Sequence, residues 1–127
     1  MDRRPAARAL AKVRAACVAL PDVTERPSHG MPAWFVGKHQ FAVFTDDHHH
    51  DGRLALVCAA PDGLQAMLVD DDPDAYFVPP YVGRLGWVGV QLDRGVPWSN
   101  VARLIEGAHA HRAAPRRRRA AAKPRRR

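Results

Sequence analysis

Between residues 23 and 59 four short stretches of strand character follow one another, separated by turn signals, and this spacing limits the possible folds more than any other feature of the chain. Residues 23–29 are polar and carry Pro27, which suits an edge strand because proline has no N–H to give to a ladder. Residues 34–36 and 40–45 are aromatic and β-branched and flank Gly37-Lys38-His39, which reads as a hairpin loop. The polar run DDHHHDG (46–52) leads into 53–59, a continuous apolar strand. Four neighbouring strands of this kind predict an antiparallel sheet.

Helical patterns bracket these strands. In the N-terminal stretch Leu10, Val13, Cys17 and Leu20 recur at spacings of three and four, while Arg3, Arg4, Arg8, Lys12 and Arg14 fall largely off that stripe. Asp2 fits as its cap, Pro5 is tolerated in the first turn, and Pro21 closes the segment. A second helix starts at Pro61-Asp62-Gly63, with Asp62 as its cap and Leu64, Met67 and Leu68 as its buried side; Asp70–Asp72 oppose the macrodipole at its end. Residues 76–82 (YFVPPYV) form an extended segment broken by Pro79-Pro80, and 87–92 form a strand turned at Asp93-Arg94-Gly95. A last helix begins near Pro97 or Trp98 and carries Trp98, Val101, Leu104, Ile105 and Ala108 on one face. The order predicts an α+β fold, two layers, with helices packed on an antiparallel sheet.

Charge divides the chain sharply. The net charge is +7, yet residues 113–127 hold seven Arg, one Lys and no acid. The preceding 112 residues keep 12 Lys+Arg against all 13 Asp+Glu, close to neutral. Two parts follow: a domain over 1–112, and an Arg-rich tail over 113–127 that lacks large apolar residues and is expected to be disordered. Eight cations on such a segment would bind phosphates by counterion release, without reading sequence.

Cys17 and Cys58 sit in apolar patterns and read as buried free thiols, so a reducing, cytoplasmic setting is expected. Cations at positions 8, 12 and 14 interrupt any signal-peptide core, and no apolar run reaches about 18 residues, so neither a leader nor a membrane span is expected. The default is a monomer.

Several ordered pieces, TERPSHGMPAWFVGKHQFAVF, DDHHHDGRLALVCAAPDG, DPDAYFVPPYVGRLGWVGVQLD and the W-x-x-V-A-R-L-I-E run, resemble the MmcQ/YjbR family over roughly residues 8–112. The most specific are Ser28-His29-Gly30 ahead of Trp34, and Phe77-Val78-Pro79-Pro80-Tyr81-Val82-Gly83 ahead of Gly86-Trp87. The resemblance implies helices against an antiparallel sheet, similar in outline to type III secretion chaperones, and DNA binding through paired hairpin wings. It also gathers Glu25, His29, Trp34, Tyr81 and Trp87 around one region of the sheet, a possible shallow pocket.

The nucleic-acid reading therefore rests on Lys38 and His39 at one hairpin tip, on Arg84 and Arg94 at other turns, and on the tail cations Arg116, Arg117, Arg118, Arg119, Lys123, Arg125, Arg126 and Arg127. Two other classes compete with it. One is a protein-interaction module that uses the sheet face. The other is a small-ligand or metal-binding domain or enzyme around Glu25, His29, Trp34 and Trp87, where a Glu–His pair would supply acid–base chemistry. His48, His49 and His50 are weak metal candidates, since adjacent histidines on a loop do not readily face one ion. No phosphate-loop motif, nucleophile elbow or cofactor signature is present, so no cofactor and no catalytic residue are assigned.

Overall fold

The structure, a computed structural model, describes residues 4–122, with side chains through residue 113. Helix α1 (Arg4–Val18) buries Val13 and Cys17 on the expected stripe and stops three residues before Pro21. Asp2, the expected cap, lies outside the described residues.

Six strands follow: β1 (Val23–Ser28), β2 (Met31–Val36), β3 (His39–Asp46), β4 (Leu54–Cys58), β5 (Tyr76–Phe77) and β6 (Val88–Gln91). They form one antiparallel sheet in the order β1-β2-β3-β4-β6-β5. Pro27 does sit on an edge strand, as its missing N–H requires. At the other edge β5 is only two residues long, because Pro79-Pro80 end the ladder at once. The β2–β3 hairpin closes through Gly37 (φ +58) and Lys38, with His39 already paired to Val36. The register slips by one residue near Trp34 and Phe35.

The remaining helices are α2 (Leu64–Asp71), between β4 and β5, and α3 (Trp98–Ala122), which ends the described chain. Two expectations about α2 are corrected. Its N-cap is Gly63, in a left-handed conformation that glycine adopts at little cost, and no side chain caps it, so Asp62 is not the cap. Met67 is exposed rather than buried, since α2 lies beside the short β5 and offers only Leu64, Leu68 and Val69 to the core. In α3, Val101, Ile105 and Ala108 are buried as expected. The helical backbone passes residue 112 and reaches Ala122.

Paired residues share a sheet face and successive ones alternate. Glu25, Trp34, Ala42, Cys58 and Val88 thus form one row on the face covered by α1 and α3. The adjoining row on the opposite face is Arg26, Ala33, Val43, Val57, Gly89 and Phe77. There the Phe77 ring lies directly over Gly89, where a Cβ would come within 2.3 Å of it. The Arg53 guanidinium stacks on that ring at 4.0 Å, and Arg26 stacks on Phe35 at 4.0 Å. The core is fully closed around Trp34, Phe41, Leu56 and Ile105, and no buried side-chain polar atom among the described residues lacks a partner.

Candidate nucleic-acid interface

The register decides which turns share an end of the sheet. Beyond the row Trp34–Ala42–Cys58–Val88 lie the Gly37-Lys38 turn, the exit of β4, and the segment 79–87 that leads into β6. Lys38, His39 and Arg84 are therefore at one end, all exposed. The C-terminal part of α3 reaches the same end: His109 Nε2 donates to Pro21 O (2.8 Å) and Arg112 Nε to Gln40 O (2.9 Å). A cleft of about 170 Å³ opens there between the hairpin and α3, lined by Asp22, His39, His109 and Arg112 among others. Arg112, which sequence reasoning did not single out, thus joins the hairpin tip to the helix that carries the chain into its Arg-rich stretch. Nothing local in the sequence marks it, because the contact spans 72 residues.

Arg94 does not belong to this group. It lies in the turn after β6, at the opposite end, beside Asp93 at 3.7 Å. That end also holds Asp46, Asp47 and Asp51 of the β3–β4 loop. Asp74 is there too, placed by Gln91 Nε2 donating to its carbonyl oxygen at 3.0 Å, with Asp70, Asp71 and Asp72 just before it. Eight of the 13 acids are gathered there, whereas Asp22 and Asp62 are the acids of the Lys38 end. The acids of the nearly neutral body are thus concentrated at one end, where Arg53, Arg94 and Lys12 also lie. Of the tail cations, Arg116, Arg117, Arg118 and Arg119 have side chains outside the described residues, and Lys123, Arg125, Arg126 and Arg127 lie wholly outside them.

The expected pocket group does not assemble. Glu25 and Trp34 face each other across β1 and β2, and the Trp34 indole N–H donates to Glu25 Oε1 at 2.9 Å. Arg14 of α1 completes the site, its Nε and Nη2 donating to the two carboxylate oxygens at 2.8 Å each. The guanidinium holds the Glu25 carboxyl below its ordinary range, against an opposing push from partial burial. His29 instead occupies the β1–β2 turn (φ +52), exposed and four residues along the strand from Glu25. Trp87 is buried beside β6 on the far side of the sheet, and Tyr81 is exposed. A Glu25–His29 acid–base pair is therefore absent, and the Arg14–Glu25–Trp34 cluster pins α1 to the sheet. The signal for half of it was in the sequence: a two-residue turn at His29-Gly30 sets residue 25 opposite residue 34.

His48, His49 and His50 make a single 3-10 turn in the β3–β4 loop, with His48 and His49 ring centroids 3.9 Å apart. Among the described residues no group of three or more His, Cys, Asp or Glu is arranged to hold a metal ion. Cys17 and Cys58 are buried free thiols, both pushed up to about 12 chiefly by burial. No helix among the described residues is long and apolar enough to cross a membrane.

Three helices and a six-stranded antiparallel sheet, with α1 and α3 on one face and basic turns at one end, define an α+β domain of the kind the sequence predicts. Residues 18–111 match the YjbR family model, and the chain belongs to the YjbR family. Comparisons with curated proteins and with solved structures gave no match.

Proposed function

We propose that this YjbR-family chain is a non-enzymatic, cytoplasmic nucleic-acid-binding protein that holds phosphates without reading sequence. The observation that carries the reading is the placement of basic side chains. Lys38, Arg84 and Arg112, with His39 beside Lys38, lie at the end of the sheet toward which α3 runs into the Arg-rich stretch, while most acids lie at the other end. A polyanion attracted to that stretch meets further positive charge on the body, and the acidic end faces away. Electrostatics of this type fixes orientation and on-rate more than specificity.

A salt titration of duplex DNA binding tests the proposal. For the full chain, log K against log salt should fall with a slope of up to about −7 from the eight tail cations alone. Replacing those eight by glutamine should flatten the slope and weaken binding severely at physiological salt. Substituting Lys38, Arg84 and Arg112 together by alanine should flatten it further by about two to three. Retention of full affinity and full slope by the glutamine-substituted chain would overturn the reading.

A further inference from the structure

Among the described residues Tyr81 is the most exposed large hydrophobic side chain, at 81%. It is also held where a tyrosine backbone is strained, at φ +68. Strain at a non-glycine residue persists only where the surroundings impose it, and it concentrates at functional positions. The surroundings here are rigid. Pro79-Pro80 precede the residue, Val82 N donates to Pro80 O (2.7 Å), and Gly83 N donates to Pro79 O (3.0 Å). Gly83 is packed so closely that a Cβ would meet Val78 Cγ1 at 2.5 Å. Gln65 Nε2 of α2 clamps the segment from below by donating to Gly83 O (2.7 Å) and to Trp87 O. The result is a stiff knuckle that presents a phenol ring to solvent, with Leu85 (60% exposed) close by in the chain.

Its position says what the ring meets. Phe77 pairs with Gly89, so the chain leaving β5 runs toward the Lys38 end of the sheet, and Trp87 N donates back to Val82 O (3.4 Å). Tyr81 therefore shares that end with exposed Arg84, and stands two to three strand spacings, roughly 10–15 Å, from the Lys38–His39 tip. An exposed ring at the same sheet end as Arg84 and Lys38 is the arrangement in which a nucleic-acid strand has its phosphates held and a base stacked. Resting on the nucleic-acid reading above, we propose that Tyr81 is a base-stacking residue, and that the protein prefers unpaired or locally opened strands over intact duplex.

The test measures, at fixed ionic strength, binding of the full chain to three probes of equal length: oligothymidine, an abasic oligomer and a duplex. Wild-type protein should bind oligothymidine about 5- to 150-fold more tightly than the abasic oligomer, the range expected for one stacked base. Tyr81→Ala should abolish that difference while leaving abasic binding and the salt slope unchanged. Tyr81→Phe, which keeps the ring and loses the hydroxyl, should preserve it. Equal binding of oligothymidine and abasic oligomer by wild type, or a Tyr81→Ala variant that still tells them apart, would overturn the stacking role and leave phosphate binding standing. Absence of binding to all three probes would overturn both readings, and the knuckle would then be better sought as a contact for another protein.

Discussion

Glu25→Ala is the most informative single change for stability, because one carboxylate accepts three hydrogen bonds from two elements. Trp34 is completely buried and its N–H is turned to Glu25, so truncation leaves that donor without its acceptor. Stranding such a group costs about 1–3 kcal/mol. The Arg14 pair adds little, up to about 1 kcal/mol, because the two side chains remain 45% and 28% exposed and solvent screens them. The sum, about 1–4 kcal/mol, corresponds to a Tm lower by roughly 4–16 °C for a domain of this size. Glu25→Gln keeps one carbonyl oxygen for the indole and should lose only the ionic share. In a Trp34→Phe background the donor is gone, and Glu25→Ala should then cost no more than the Arg14 contribution. Because Arg14 holds the carboxyl below its ordinary value, the pair stabilises fully above the unfolded glutamate pKa, about 4.3, and fades as pH falls through the lowered folded value. Urea melts between pH 7 and pH 2.5 measure each share. Equal stability of wild type and Glu25→Ala at pH 7, or an undiminished Glu25→Ala effect in the Trp34→Phe background, would refute the reasoning.

Further predictions concern the opposite sheet face and the thiols. Gly89→Ala places a methyl within 2.3 Å of the Phe77 ring, which is itself held by Arg53, so it should destabilise by about 1–3 kcal/mol in denaturant melts. Gly89→Ala combined with Phe77→Leu should recover part of that loss. Burial raises both cysteines to about 12, so at pH 8 the native protein should resist iodoacetamide while the urea-unfolded chain takes up two labels, as read by mass spectrometry.

Much of the architecture was legible because strand alternation, proline placement and short turns act locally. Pro27 marks an edge wherever it stands in a strand, and residues 34–45 announce a hairpin whatever surrounds them. The second helix misled because its apolar residues are few, and a three-residue stripe does not say whether a core exists to receive it. Met67 shows the outcome: it stands on a helix that packs beside the two-residue β5 and it remains exposed. The interface was harder to read. Lys38, His39 and Arg84 were visible as polar turn residues, but assigning Arg94 to the other end needs the order in which β4, β6 and β5 pair. The Arg112–Gln40 contact and the Arg14–Glu25 pair depend on how helices lie across the sheet, which no periodicity reports.

The two margins of the sheet bear on how the molecule behaves when crowded. One margin is interrupted by an imino acid, Pro27, that follows the charged Glu25 and Arg26, and the other extends for two residues only. Neither offers a run of free backbone groups on which a foreign strand could dock, which is how many proteins fibrillise at high local concentration. Molecules held close together at high local concentration are thus protected from zipping edge to edge.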